Sequence, residues 1–116
     1  MGSINERIRT AVTPLVGACE PHVYSGESDT YAVFDYVEVP LAFSDNEVTE
    51  WKAQITLELV LPLGVNSIRL RRKLCSALTR ADFTAPLVTD VGDGTQQIWQ
   101  FTFEGEMEAG DGEDHV

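Results

Sequence analysis

Cysteine is scarce in this 116-residue chain: Cys19 and Cys75 are too few for a disulfide framework. Cations are scarce as well, eight Lys and Arg against nineteen Asp and Glu, giving a formal charge of −11. That balance argues against a general nucleic-acid binder, which needs cations to displace phosphate counterions. It argues equally against adsorption to an anionic membrane surface. Long apolar runs are missing. The most apolar segment, 55–63, is interrupted by Thr56, Glu58 and Pro62, whereas a bilayer span needs roughly 20 apolar residues. The opening Met-Gly-Ser-Ile-Asn-Glu has neither a basic nor an apolar signal-peptide region, so no secretory leader is expected. Glu6 stands where an N-myristoylation pattern wants Ser or Thr. What is present is globular composition, 43% hydrophobic and 23% charged, at a length that suits one domain. The expectation is an acidic, soluble domain made in the cytosol.

The first element reads as a helix. Ser3 and Glu6 have capping-box spacing, and Ile4, Ile8, Ala11, Val12 and Leu15 fall on one face at a 3.6-residue period. Pro14 has no amide proton and opposes the Thr10 carbonyl, so the regular helix is expected to stop near Thr13. Residues 31–43 are dense in Tyr, Val and Phe and read as a strand, with Pro40 marking an edge position. Residues 44–50 read as a polar connector. The clearest strand is 51–61, where Trp51, Ala53, Ile55, Leu57, Leu59 and Leu61 alternate with polar residues; the two strands form a hairpin. Asn66 is the expected N-cap of an amphipathic helix over 67–81 that carries Leu70, Leu74, Ala77, Leu78 and Ala81 on one stripe. Two further strands, 87–91 and 96–107, are joined by a glycine-containing turn, and the last strand loads Trp99, Phe101 and Phe103 onto one face. Residues 108–116 are acidic and glycine-rich and read as a disordered tail beyond a single domain spanning 1–107. The order is α-β-β-α-β-β. It predicts an α+β fold with a mostly antiparallel four-stranded sheet and two helices packed on one face.

No catalytic constellation emerges. Cys19 and His22 have a spacing a metal could use, but a zinc site needs about four such ligands and only Cys75 and His115 remain. Cys75 lies beside the apolar stripe of the second helix and reads as a small core residue. Asp90 and Asp93 with their glycines lack the further acids of a calcium loop and read as a solvated turn. Asp35 and Glu38 fall on opposite faces of a pleated strand, which excludes them as an acid/base pair. No phosphate-binding glycine loop, nucleophile elbow or His-Glu-x-x-His is present. The expectation is a protein that is not an enzyme and needs no metal or cofactor.

Charge is more informative than any motif. Five of the eight cations, Arg69, Arg71, Arg72, Lys73 and Arg80, lie in the second helix with no acid among them. Arg69, Arg72, Lys73 and Arg80 share a face opposite the leucines. One reading is a solvated helix face balanced by acids of the same molecule. The other is a contact between copies, in which this stripe meets acidic surface on a neighbour. The expected subunit or tube interface comprises Arg69, Arg72, Lys73 and Arg80 with Asp45, Glu47 and Glu50 of the polar connector.

In its element order the chain resembles the small tail terminator, or tail completion (minor tail component), proteins of long-tailed bacteriophages. The resemblance is carried by the short helix ending in Leu15-Val16-Gly17, a lead-in strand around His22 to Tyr24, the long hairpin, the basic helix and the aromatic terminal strand. It covers roughly residues 4–107. It implies a structural virion protein that forms a ring, typically hexameric, at the head-proximal end of the tail. Such a ring stops tube polymerisation and meets the head connector. Implied partners are copies of itself, the tail-tube protein and the connector, with DNA only passing through the channel and no membrane. Assembly would take place in the bacterial host cytoplasm, with the product in the virion tail. The competing readings are a head-completion or connector adaptor, and a small acidic regulatory or inhibitor module.

Overall fold

A computed structural model describes residues 3–107; the expected tail, 108–116, lies outside the described residues. Helix α1 spans Ile4–Val16, and strands β1 (Cys19–Pro21), β2 (Tyr31–Ser44) and β3 (Glu47–Leu61) follow. Helix α2 (Ile68–Arg80) precedes β4 (Leu87–Asp90) and β5 (Gln97–Met107). The strands form one five-stranded sheet in the order β1-β2-β3-β5-β4.

The α+β class agrees with the sequence, but the four-stranded, mostly antiparallel sheet does not. β1 adds a fifth strand, and it runs parallel to β2 in the register Cys19↔Ala32 to Pro21↔Phe34. It also lies upstream of the expected lead-in around His22 to Tyr24. Three residues ending in proline carry no alternation to read. Their strand character comes from the partner: Ala32 N–H donates to the Ala18 carbonyl and His22 N–H to the Phe34 carbonyl, each at 2.8 Å.

Both helices lie on one face of the sheet. Facing them are Ala32 and Phe34 of β2, the odd residues Ala53 to Leu61 of β3, and Phe101 and Phe103 of β5, all buried. Ile4, Ile8 and Val12 of α1 and Leu74 and Leu78 of α2 complete this core. The opposite face is polar, with Asp35, Gln54, Thr56, Thr102 and Glu104 along it.

Helix α1 does not stop at Thr13. It continues through Pro14 to Val16 and ends on Gly17 in the left-handed region (φ 93°), whose N–H donates to the Thr13 carbonyl at 2.8 Å. A proline inside a helix costs about 3 kcal/mol. Three buried aliphatic side chains on the same helix contribute roughly 1.5–3 kcal/mol each, so docking wins. Ser3 caps the start as expected, its Oγ accepting from Glu6 N–H at 3.2 Å. Asn66 caps α2 from one residue further out, its Oδ1 accepting from Ile68 N–H at 3.1 Å while Ser67 takes the N-cap position.

The β2–β3 hairpin corrects a second expectation. The polar stretch 44–50 is not a connector, because pairing continues to Ser44↔Glu47 and only Asp45 and Asn46 turn. Both have positive φ (52° and 67°), the geometry of a two-residue type I′ turn whose twist matches the strands. Among the described residues β5 covers β3 as far as Trp51↔Met107, and past that pair the hairpin is a two-stranded arm. The molecule is correspondingly long, 55 × 26 × 24 Å.

Candidate interaction surfaces

The thiols are placed for packing. Cys19 is buried in the core, and burial, reinforced by Glu20 and opposed by Arg9, pushes its pKa from 9.0 up to about 12. Cys75 is half-buried against the core, and burial raises its pKa too. Among the described residues no three His, Cys, Asp or Glu side chains converge as metal ligands. The Asp90–Asp93 turn spends its carboxylates on its own chain. Asp93 Oδ1 accepts from Thr95 N–H at 2.9 Å and Thr95 Oγ1–H at 2.6 Å, which lowers its pKa, and Asp90 Oδ1 accepts from Gly92 N–H.

Charged grooves separate into satisfied and unsatisfied ones. One of about 550 Å³ is lined by Arg7, Lys52, Asp82, Glu104 and Glu106. Here Arg7 donates to the Glu106 carbonyl at 2.8 Å and lies over the Phe83 ring at 4.6 Å, and Lys52 pairs with Glu104 at 3.3 Å. These groups hold the α1–α2–β5 junction together. A second, shallower groove of about 820 Å³ runs along α2, lined by Arg69, Arg72, Lys73 and Arg80 with Ile68 and Ser76. The sequence placed these four cations on one face, and the structure brings them together. Arg71, the fifth, turns away: its Nε donates to Ser67 Oγ at 3.0 Å and its guanidinium lies 3.7 Å from the centre of the Trp99 ring. Among the described residues the four groove cations make no ion pair; the two pairs found are Arg9–Glu20 and Lys52–Glu104.

The groove is poorly designed for helix stability. No acid occupies the first turn of α2, where the dipole favours one, and Arg69 is there instead. Arg69 also faces Arg72 and Lys73 three and four residues on, like-charge spacings that destabilise a helix.

The acids of the expected interface lie on the arm. Asp45 is in the turn, and Glu47 and Glu50 follow in β3; all three are exposed. They make no ion pair with the α2 cations among the described residues, and the tip acids Asp45 and Glu47 lie far from Arg69 at the start of α2. β3 has 15 residues between the arm tip and the loop leading to α2, roughly 50 Å at strand rise. The arm is also more apolar at its surface than the sequence suggested. Phe43 is 68% exposed, Leu41 46% and Trp51 37%. Pro40 lies, as expected, on an edge: past Phe34 no described strand covers the outer side of β2.

Over 92% of its length the chain is similar in fold to a chain of the virion of a native gene transfer agent (GTA) particle. It covers 96% of that chain, with a TM-score of 0.58 and 13% sequence identity. What the two share is a fold. No protein-family model matches the chain, and no curated protein matches it.

Sequence reasoning missed the notch where β1 gives out on the edge of β2. Asn5, His22, Asp35 and Glu38 line an open space of about 370 Å³ there. The side chains of Asp35 and Glu38, read as separated by the pleat, both border it because a strand edge is reachable from both faces. His22 enters it with a positive φ of 67°, a conformation its sequence context does not announce.

Proposed function

We propose that this protein is a structural component of a phage-like virion. In this reading it assembles as a ring, most simply a hexamer, at the head-proximal end of a tail, ends tube growth and meets the head connector. It works by fitting against other polypeptides and transforms no substrate. The observation that carries the reading is a fold shared with a virion chain along nearly the full length of both. The charge layout supports it: a cationic groove and an acidic, apolar arm at separate places on one elongated molecule are the two unlike patches that head-to-tail assembly uses. A net charge of −11 suits a channel that lets DNA pass without holding it.

The test is binding to purified tail tubes, read by electron microscopy with a gold label on this protein. Label at one end of each tube, as a ring of fixed mass, is expected. Label on filled heads instead would transfer the protein to the connector side, and label on neither would end the virion reading.

A further inference from the structure

We infer that the arm of one copy, residues 40–51, seats in the α2 groove of a second copy of this chain. The inference rests on the ring reading for its biological setting, but its physical basis is independent of any tail.

Three observations point to this occupant. The first is charge. The arm carries Asp45, Glu47 and Glu50 and no cation, while α2 carries five cations and no acid. Four of those five line the groove without an ion pair among the described residues. The second is apolar surface. Leu41 and Phe43 stand out from the arm, and Ile68, 47% exposed, borders the groove among the cations. An acidic hairpin with apolar side chains is complementary to a basic groove with an apolar end in both respects. The third is the chemistry of the arm's edge. Pro40 has no amide to donate, and the β2–β3 register shifts between Pro40 and Ala42 and again before Phe43. Both features are devices that stop an edge from templating another strand. A partner that adds as a strand is therefore disfavoured, and one recognised through side chains, such as a helix face, fits.

The contact has to be between molecules. The arm tip and the loop that delivers α2 lie at opposite ends of β3, so the tip cannot reach the first turns of its own α2. Two different patches in contact make a heterologous interface, which closes into a ring or extends as a filament. The bias in α2 also finds a reason: cations that weaken the isolated helix gain their counter-charges on assembly.

The experiment is a reciprocal charge swap, read by sedimentation velocity over a concentration series to about 1 mM at low salt. Circular dichroism verifies that each variant is folded. The wild-type chain is expected to self-associate, and more weakly as salt rises. Glu47→Lys with Glu50→Lys, and separately Arg72→Glu with Lys73→Glu, should each weaken association at least ~10-fold, because like charges then meet across the interface. Chains carrying all four changes should return to within a few-fold of wild type. Phe43→Ser, which leaves every charge in place, should also weaken association.

A wild-type chain that stays monomeric throughout overturns the inference, as does association that the four-fold variant fails to restore. If association and rescue both hold while labelled protein binds neither tails nor heads, the contact stands and the virion reading falls. If tail ends bind a ring whose assembly ignores the swap, the reverse holds.

Discussion

Replacing Arg69 by Glu should make the monomer more stable, against the general tendency of substitutions to destabilise. Arg69 sits in the first turn of α2 with no acid near it in that turn, and it faces Arg72 and Lys73 on the following turn. The change removes two like-charge pairs and creates two opposite-charge pairs, each worth ~0.2–0.5 kcal/mol. It also exchanges a cation for an anion at the positive end of the helix dipole, ~0.3–1 kcal/mol for each sign. Because all these charges are exposed, the lower bounds are the right ones, and together they give about 1.4 kcal/mol. Arg and Glu have nearly the same helix propensity, so nothing is lost on that account. For a chain of this size the gain corresponds to a rise in Tm of about 4–6 °C. Thermal unfolding followed by circular dichroism, at a protein concentration too low for self-association and in about 0.01 M salt, measures it. In 1 M salt, where the Debye length is about 3 Å, most of the difference should disappear. An unchanged or lower Tm at low salt would refute the reasoning, because it would mean that acids of the same molecule already neutralise the groove.

Three other perturbations test the fold that positions the two surfaces. A Cβ on Gly105 would lie 2.5 and 2.6 Å from the Phe83 ring, which is held between Phe103 and Arg7, so Gly105→Ala should lower stability by ~1–3 kcal/mol in urea titration. Asn46→Val forces a β-branched residue into a left-handed conformation at ~1–2 kcal/mol. Because that turn lies on the arm, amides of residues 42–50 should exchange roughly tenfold faster while exchange in the rest of β3 and in β5 is unchanged. Cys19 should resist alkylation until the chain unfolds, whereas Cys75 reacts in the native state. The unfolded thiol ionises near 9.0 and the folded one near 12, so the folded state holds its proton longer. Stability is therefore full below about pH 9 and falls as the pH rises towards 12, a slope that Cys19→Ala should reduce.

Where a side-chain period repeats three or more times, the elements were legible. Ile4, Ile8 and Val12 located α1, the odd residues of β3 located its buried face, and Leu70, Leu74 and Leu78 oriented α2. β1 was hidden because three residues cannot display a period, and its strand geometry is imposed by β2. Phe83 was missed as a core residue because it follows α2 in a segment with no pattern of its own. Gly105 was the available clue, since a glycine inside a strand marks the close approach of something else. The stretch 44–50 at the tip of the arm was misread as a connector because its seven residues are mostly polar, yet Asp45-Asn46 is a pair that tolerates the positive φ of a type I′ turn. At the candidate site, the clustering of cations could be read from helical spacing alone. The separation of Asp45, Glu47 and Glu50 from them could not, because it depends on how far the hairpin runs past the sheet.

The two surfaces share a property that the core lacks: each breaks a local rule. In β3, and in α1 on either side of Pro14, propensity, period and burial agree. At α2 the charges oppose the helix dipole and one another, and on the arm Phe43 stands in solvent at a shifted register, three residues after a proline. Charges retained only for solubility would be dispersed with both signs mixed, and would not leave thirteen consecutive helical residues without an acid. Exceptions of this kind mark functional sites when the surrounding structure is otherwise consistent. It follows that stability and assembly should trade against each other at the same residues. A library of surface variants selected only for a stable monomer should therefore gather changes at Arg69, Arg72 and Phe43, and those variants should be the ones that no longer self-associate.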